Sequence, residues 1–386
     1  MTPAFEFASA ARILFGAGVF GRIGELAAEL GRRALVVGGK NPERAEAVRA
    51  RLEASGVSAV QIAITGEPMT DDARRGVELG RVEHCDLVVA IGGGSPLDAG
   101  KAVAALLANG GDPLDYLEVV GAGRPLTRRS LPMIAVPTTA GTGSEVTRNA
   151  VLEAPSERVK VSLRSHLMLP ELALIDPELT LSVPPRVTAS TGFDAMSQVL
   201  EPFVSKRANP LTDALCRDAL ARSARSLQKA YRDGSDRAAR EDLCMVSLCG
   251  GIALANAKLG AVHGFAGPIG GMFHSPHGET CAVLLPHVMD VNIRALRERA
   301  PDSPALERYT DVARLLTGRA DATAAAGVAW VRELAAALQI PTLAAYGVRQ
   351  ADFAAIASKA AAASSMQGNP ITLEHRELIA ILERAL

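Results

Sequence analysis

Three of the seven histidines in this 386-residue chain, His263, His274 and His277, fall within a stretch of fifteen residues. Glycines and prolines interrupt that stretch, so we expect His263 and His277 to lie at the ends of two helices joined by a turn. Imidazoles that converge from different elements are suitable ligands for a divalent transition metal. The spacing predicts a metal site, and the alternative is that each histidine is an ordinary core or surface residue.

A carboxylate that would suit the same ion lies upstream, in the string "ASTGFDAMSQVLEPFV". Helical spacing puts Asp194 on an otherwise apolar face, with Gln198 one turn later on the same side. Because a buried carboxylate is costly unless it is paired or bound to a metal, Asp194 is a candidate ligand. The alternative is that Asp194 caps the start of a helix.

A different chemistry is indicated by the glycine-rich turn in "VVAIGGGSPLDAGKAVAALLA", residues 88–108. Gly92, Gly93 and Gly94 would let the backbone approach a ligand closely. Ser95 is predicted to cap the helix that follows. Such a turn aims free N–H groups and the positive end of the helix dipole at an anion. We therefore expect a phosphate group here, the alternative being a helix start without a ligand.

Two further stretches bear on the phosphate site. The loop "PTTAGTGSE", residues 137–145, follows another predicted strand and offers hydroxyl groups as a second wall for a nucleotide. The literal GxGxxG at residues 16–21 is a weaker candidate, because a dinucleotide fingerprint needs an acidic residue about 20 positions further on. That place holds Gly38, Gly39 and Lys40 instead.

The elements that would position these sites differ between the two halves of the chain. Up to about residue 180, short apolar runs alternate with helical patterns, as in an α/β domain built on a parallel sheet. Beyond that point nearly every segment has helical spacing. We predict a dinucleotide-binding α/β domain at 1–182 and an all-α domain at 183–386, joined at the proline-containing "IDPELTLSVPPR".

The composition indicates a small-molecule partner. Lys and Arg number 41 against 42 Asp and Glu, and aromatic residues make up only 4%, so neither nucleic acid nor a membrane is an expected partner. No run approaches the ~18 apolar residues of a membrane span, and the first residues lack the pattern of a signal peptide. Five cysteines without a CxxC pair fit a reduced, cytoplasmic protein.

With these motifs taken together, the chain resembles the iron-containing, group III alcohol dehydrogenase family. The resemblance covers nearly the whole chain, through "FGAG", "GGGSPLDAGKAVA", "PTTAGTGSEVT", "TGFDAMSQVLEPFVS" and "GGMFHSPHGETCAVLLPHVM" in that order. It implies hydride transfer between a nicotinamide and an alcohol, aldehyde or ketone, in a cleft between a nucleotide domain and an all-helical metal domain. It also implies a homodimer, and it assigns "FGAG" to an N-terminal strand and turn rather than to the pyrophosphate.

The resemblance also implies roles for individual residues. The metal-ligand positions are Asp194, His263, His277 and, in place of the family's usual histidine, Gln198. The cofactor-binding positions are Gly39, Gly92, Gly93, Gly94, Ser95, Asp98, Thr138, Thr139, Thr142 and Lys160. Lys160 would lie near the nicotinamide ribose and is one of two candidate catalytic residues.

Two departures from the family pattern affect the metal site. Gln198 is a neutral donor and a weaker ligand than histidine, so we expect Fe²⁺ (or Zn²⁺) to be held weakly. The second histidine of the family's HxxxH motif is replaced by Gly267. This makes His274 the other candidate catalytic residue, as a substitute proton relay.

A third departure affects the cofactor. Gly39 stands where many NAD-preferring relatives carry an aspartate that would repel a 2′-phosphate. Lys40 or Arg44 would attract that phosphate. The expected cofactor is therefore NAD or NADP.

Three alternatives remain open on the sequence, namely two other enzyme functions and a binding protein with a decayed site. In a maleylacetate reductase-like enzyme, an acidic oxo-substrate would be reduced with little or no metal, and basic residues such as Arg148 and Lys160 would matter more. In a lyase of the dehydroquinate synthase type, NAD would be recycled rather than consumed. Net oxidation of NAD(P)H by an aldehyde separates the lyase from the dehydrogenase.

Overall fold

The computed structural model describes residues 4–155 and 159–386. Two compact units are present. The sheet unit comprises Ala8–Thr139 and Gly143–Thr180, and the helical unit comprises Leu181–Leu386 with Ala140–Thr142 and the described residues before Ala8. The predicted division into domains 1–182 and 183–386 stays a prediction, because a unit defined by its contacts need not fold independently.

The described residues of the sheet unit form eight strands. They are β1 Arg12–Phe15, β2 Arg33–Gly38, β3 Ser58–Ala63, β4 Leu87–Gly92, β5 Met133–Pro137, β6 Asn149–Ala154, β7 Val159–Arg164 and β8 Leu172–Ile175. Six of them form a sheet in the order β1-β8-β5-β4-β2-β3, in which every neighbouring pair is parallel. Strands β6 and β7 form a separate antiparallel hairpin.

Helices cover both faces of this sheet, which explains the uniformly apolar central strands. They are α1 Ile23–Ala28, α2 Pro42–Ala54, α3 Thr70–Val82, α4 Gly94–Asn109 and the single turn α5 Pro113–Tyr116. Along β2, Leu35 packs into the same apolar cluster as Val77 of α3, whereas Val36 packs into the cluster that contains Val48 of α2. Strands buried on both faces need such continuous apolar runs. The predicted α/β fold with a parallel sheet is confirmed.

The sheet has a topological switch point between β2 and β4. From β2 the chain adds β3 on one side, and then β4 and β5 on the other. Open parallel sheets bind ligands outside the carboxyl ends of the strands at such a point. Here those ends are Gly38 and Gly92, and the parallel register pairs Gly38 with Ile91.

The glycine-rich turn follows β4 as predicted, but helix α4 begins earlier than predicted. Gly94 is its first residue and Gly93 is its N-cap, so Ser95 lies within the first turn and is not the cap. Gly92 has a φ of +150°, and a Cβ there would lie 2.7 Å from Cγ of Pro96. Only glycine permits this tight turn, and the consecutive glycines let the helix start before the first side chain.

Residues 181–386 contain nine α-helices and no strand. They are α6 Pro185–Val204, α7 Pro210–Arg232, α8 Arg237–Ala257, α9 Ala261–Phe273, α10 His277–Arg299, α11 Pro304–Thr317, α12 Ala324–Ala337, α13 Phe353–Ala362 and α14 His375–Ala385. Prolines begin α6, α7 and α11, where the missing N–H costs nothing. The predicted helical second half is confirmed.

None of the helices within 4–155 and 159–386 is, by itself, both long and apolar enough to cross a bilayer. Helices α8 and α9 satisfy the length and composition criteria only as a pair bent by 100°. The cytoplasmic location stays a prediction.

Candidate metal centre and nucleotide site

Helix α6 carries Asp194 in its interior, where the side chain is buried. The helix begins at Pro185, and Asp194 is only 3% exposed. The alternative that Asp194 caps the start of a helix is therefore wrong. A carboxylate inside an apolar helix face needs positive partners, and those partners come from α9 and α10.

Helix α10 begins at His277 and packs closely against α6. A Cβ at Gly278 would lie 2.2 Å from the carbonyl oxygen of Ser190, so this approach requires glycine. As a result, Nε2 of His277 lies 3.6 Å from Oδ1 of Asp194. The His277 side chain is 49% exposed, which leaves one side of the pair open to solvent.

His263 is the third residue of α9, and two buried side chains hold the start of that helix. The first two backbone N–H groups donate to Oδ1 of Asn369 at 3.1 Å and to Oε1 of Glu201 at 2.7 Å. Oε2 of Glu201 lies 2.6 Å from Nδ1 of His263. Because a carboxylate only accepts, Nδ1 donates to Glu201, and Nε2 on the other side of the ring lies 3.3 Å from Oδ1 of Asp194.

Cys281 completes a group of four donors, and the sequence analysis missed it. One ligand atom each from Asp194, His263, His277 and Cys281 lies within 4.8 Å of the other three. Sγ of Cys281 is 3.7 Å from Nε2 of His277 and 3.9 Å from Nε2 of His263. The spacing His277-x-x-x-Cys281 was the available signal, since residues four apart share a helix face.

The charges in this group shift the pKa values of its members. The Cys281 thiolate raises the pKa of His277 to about 9, although burial opposes the shift. Burial acts to raise the pKa of Cys281, but the imidazoles of His277 and His263 outweigh it and bring the pKa below its ordinary value. Burial also acts to raise the pKa of Asp194, and the same two imidazoles bring it below its usual range. The group thus favours anionic donors beside a positive charge, as a cation site requires.

Gln198 is buried beside Asp194, and two acceptors orient its amide. Nε2 of Gln198 donates to the carbonyl oxygen of Gly141 at 3.3 Å. The side chain also forms a hydrogen bond with Asp194, which contributes to lowering the pKa of that carboxyl group. Oε1 of Gln198 has no hydrogen-bond partner among the residues described. The role of Gln198 as the fourth ligand stays a prediction.

The candidate proton relay and the missing family histidine lie on the later part of α9. His274 is the exposed C-cap of the helix, in the left-handed conformation with a φ of 53°. A Cβ at Gly267 would have no atom within 4 Å. This face of α9 is therefore open, and the relay role of His274 stays a prediction.

In the sheet unit, the carboxyl ends of β2, β4 and β5 bring several candidate cofactor residues together. A Cβ at Gly39 would lie 3.2 Å from Cγ of Pro96, and one at Gly93 would lie 3.4 Å from Oγ1 of Thr139. Thr138 is buried, and its Oγ1 has no partner in the described part of the chain. The N-terminus of α4 opens at this turn, so the arrangement can hold a phosphate.

The carboxylate of Asp98 forms hydrogen bonds and an ion pair within the sheet unit. Its Oδ1 accepts from the hydroxyl of Ser144 at 2.5 Å, and its Oδ2 accepts from the amide of Val151 at 3.0 Å. The buried ammonium group of Lys101 lies 3.0 Å from Oδ1. This network ties α4 to the 137–145 loop, which supports the walls of the turn. A direct contact of Asp98 with the pyrophosphate stays a prediction.

Two other candidate cofactor residues have different surroundings. Lys160 lies on β7, and its Nζ is 3.1 Å from Oε1 of Glu67. Thr142 belongs by its contacts to the helical unit. Their roles at the cofactor stay predictions.

Both halves of the chain match one protein family. Residues 10–177 match the family described as "Iron-containing alcohol dehydrogenase". Residues 188–386 match "Fe-containing alcohol dehydrogenase family, C-terminal". The chain belongs to the iron-containing alcohol dehydrogenase family. The resemblance drawn from the sequence is confirmed, and so is the assignment of the chain as an oxidoreductase of the alcohol dehydrogenase type.

Individual relatives agree with this assignment. The 1,3-propanediol dehydrogenase of Citrobacter freundii is 37% identical over 324 residues, which cover 82% of this chain and 80% of that protein. A crystal structure described as 1,3-propanediol oxidoreductase is 33% identical and covers 100% of both chains with a TM-score of 0.92. The sulfoacetaldehyde reductase of Bifidobacterium kashiwanohense, solved in complex with NAD⁺, is 27% identical and covers 99% of each chain with a TM-score of 0.87. These relatives do not favour the maleylacetate reductase-like or lyase-type alternative.

Proposed function

We propose that this enzyme transfers a hydride between NAD or NADP and a small alcohol, aldehyde or ketone whose oxygen is polarised by a divalent metal. The observation that carries the proposal is the convergence of Asp194, His263 and His277 in an alcohol dehydrogenase-type chain. Relatives named 1,3-propanediol dehydrogenase and sulfoacetaldehyde reductase support a small alcohol or aldehyde as the substrate.

The residues present fit a divalent ion such as Fe²⁺ or Zn²⁺. A carboxylate and two imidazoles are a common donor set for such ions in enzymes. Asp194 is buried against two imidazoles, and a cation at their centre would satisfy all three groups at once. The exposed side of His277 leaves space for a substrate oxygen.

The protein groups around the site would orient the reactants and move a proton. When bound, the metal supplies a Lewis acid and the nicotinamide supplies or accepts the hydride. Glu201 holds Nδ1 of His263 as the donor, so that Nε2 is free to bind. His274, at the exposed end of α9, would exchange the proton of the substrate hydroxyl group with solvent. The amides of the first turn of α4 would hold the pyrophosphate.

Metal content and turnover together test this proposal. Protein purified anaerobically, without a chelator or an affinity-tag metal, is expected to contain close to one iron or zinc per chain and to oxidise NAD(P)H with an aldehyde. Chelation should abolish turnover, and added metal should restore it. Metal-free protein that reduces aldehydes at an undiminished rate would refute the metal-dependent mechanism.

We also propose that the enzyme is a homodimer, as the family resemblance implies. Sedimentation equilibrium of the full-length chain tests this directly. A mass of two chains is expected, and a mass of one chain at all concentrations would contradict it.

A further inference from the structure

We propose that Cys281 is a ligand of the divalent metal, and that its sulfur replaces the donor that the family resemblance places at Gln198. The inference rests on the proposed metal-dependent function and deepens it. Cys281 is fully buried, and its Sγ points into the group formed by Asp194, His263 and His277. No other described group of three or more His, Cys, Asp or Glu residues could hold a metal ion.

Four of the six distances between the donor atoms are close to those between tetrahedral ligands, and a substrate oxygen would add to the ion as a fifth ligand. Donors about 2.0–2.3 Å from a tetrahedral zinc ion lie about 3.3–3.7 Å from one another. Oδ1 of Asp194 lies 3.3 Å from Nε2 of His263 and 3.6 Å from Nε2 of His277. Sγ of Cys281 lies 3.7 Å and 3.9 Å from the same two nitrogens. The other two pairs of donor atoms lie within 4.8 Å of each other, so all four atoms are close enough to surround one ion after the group contracts.

The orientation of Gln198 presents its amide nitrogen, not its amide oxygen, to the carboxylate of Asp194. Its nitrogen faces two acceptors, the carbonyl oxygen of Gly141 and the carboxylate of Asp194. Turning the amide over would place its oxygen against both of those oxygens, which cannot donate. Gln198 therefore acts as a positioning residue that holds Asp194.

The charge of the four-donor set also favours the sulfur. The carboxylate of Asp194 and the thiolate of Cys281 would supply two anionic donors to a dication, and the two imidazoles would bind it as neutral ligands. An anionic sulfur also attracts a dication more strongly than the neutral amide oxygen of Gln198 would. A metal that binds here would displace the protons held by these donors, and they would be released to solvent.

A thiolate in the donor set changes which metal the site prefers. Thiolate is a soft ligand that favours zinc over hard, oxygen-preferring ions, and zinc also exceeds ferrous iron in general affinity. We therefore expect the site to retain zinc more tightly than iron, although the family is described as iron-containing.

X-ray absorption on metal-loaded protein tests the inference without relying on turnover. The full-length chain is stripped with a chelator and loaded with one equivalent of Zn²⁺ or Co²⁺. Zinc-loaded protein should show one sulfur neighbour at about 2.3 Å. Cobalt-loaded protein should show thiolate-to-cobalt charge-transfer absorption in the near ultraviolet. Both signals should disappear in Cys281→Ala and persist in Gln198→Leu.

Affinity provides a second measurement, and another buried thiol provides the control. Cys281→Ala should bind Zn²⁺ on the order of 100-fold more weakly. Removing a residue that only hydrogen-bonds to a metal ligand already lowers metal affinity by up to about 100-fold, and Cys281→Ala removes a ligand itself. Cys85→Ser removes a buried thiol of the sheet unit and should leave both the spectrum and the affinity unchanged. Circular dichroism shows whether each variant remains folded.

The outcomes separate this inference from the proposed function. Protein that binds one metal with only nitrogen and oxygen neighbours overturns the role of Cys281 and leaves the metal-dependent dehydrogenase in place. Protein that binds neither Zn²⁺ nor Co²⁺, yet reduces aldehydes, overturns both.

Discussion

The carboxylate of Glu201 accepts two hydrogen bonds from one turn of α9, from the amide of Val262 at 2.7 Å and from Nδ1 of His263 at 2.6 Å. The second bond keeps a proton on Nδ1, so the neutral imidazole presents an unprotonated Nε2, which is the form that binds a metal. A carboxylate behind a histidine also raises its basicity as a ligand. Glu201 is thus a positioning residue for the candidate metal centre, although it does not touch the donor atoms of the site.

Replacing this carboxylate should weaken metal binding while leaving all four donors in place. Glu201→Gln removes the charge behind His263, and we expect Zn²⁺ affinity to fall about 10–100-fold. Titration against a chromophoric chelator measures this. Asp242→Asn is a matched control, because Asp242 is a buried, ion-paired carboxylate elsewhere in the helical unit. If Glu201→Gln and the unmodified enzyme bound Zn²⁺ with equal affinity, Glu201 would have no effect on His263 as a metal ligand.

The sequence predicts the fold more completely than the site, for a physical reason. Strand β4 is apolar along its whole length and β2 is apolar after Arg33, and this pattern by itself indicates a parallel sheet covered on both faces. The meeting of Cys281 with the other donors depends instead on how closely α10 packs against α6 at Gly278, which no periodicity reports. Similarly, the early start of α4 at Gly94 depends on backbone freedom, and residue preference alone favoured Ser95 as the cap.

The two glycine motifs should respond differently to alanine. In Gly93→Ala the new Cβ would contact Thr139 at the turn where the pyrophosphate is proposed to bind, and we expect NAD(P)H affinity to fall by about tenfold. Gly21→Ala, in the literal GxGxxG, places its Cβ in open space and should leave affinity unchanged. Fluorescence titration with NADH and NADPH compares them. If only Gly21→Ala lost affinity for NAD(P)H, the cofactor would instead bind at the GxGxxG motif of residues 16–21.

A single lysine should influence the choice between NAD and NADP. Lys40 is exposed two residues after the end of β2, whereas the Arg44 guanidinium donates to the carbonyl oxygen of Leu179 at 3.3 Å. Lys40 is therefore the freer partner for a 2′-phosphate. One exposed charge pair contributes about 1 kcal/mol, so Lys40→Ala should raise KM for NADPH about fivefold.

The KM for NADH is the internal reference for that experiment and should change little. Arg32→Ala removes a cation just before the amino end of the same strand, and both KM values should stay the same. An unmodified enzyme that strongly prefers NADH, with a KM for NADPH many-fold higher, would contradict the expected acceptance of NADP.

A buried acid should make the stability of the sheet unit depend on pH. Burial raises the pKa of Glu145 from 4.5 to about 7, against the opposing charge of Lys101. The folded state binds this proton more tightly than the unfolded state, so the contribution to stability is present below pH 4.5 and is lost as the pH rises towards 7. The loss amounts to at most about 3 kcal/mol.

Denaturant unfolding between pH 5 and pH 8 measures this effect. Glu145→Gln cannot ionise, so this part of the pH dependence should vanish whatever the substitution costs at pH 5. Glu153→Gln, on the β6–β7 hairpin of the same unit, should retain the pH dependence of the unmodified protein. Identical pH profiles for Glu145→Gln and the unmodified protein would show that Glu145 stays ionised when buried.

The proposed relay role of His274 can be tested by removing its imidazole and then by introducing another imidazole nearby. His274 has a left-handed backbone, which asparagine tolerates, so His274→Asn should remain folded and keep its metal. If the ring carries the proton, kcat should fall by at least about tenfold, because general acid–base groups contribute 10² or more. His375→Asn, an exposed histidine at the start of α14, should have no effect.

Restoration then distinguishes a relay from a purely local structural role. Gly267 stands where the family places its second histidine, and a Cβ there has no atom within 4 Å. A histidine at this position therefore fits on the open face of α9, one turn after His263. Adding Gly267→His to His274→Asn should recover most of kcat if proton transfer is what was lost. An unaltered kcat in His274→Asn alone would dismiss the relay, and a loss that Gly267→His does not recover would indicate that His274 supports the turn into α10.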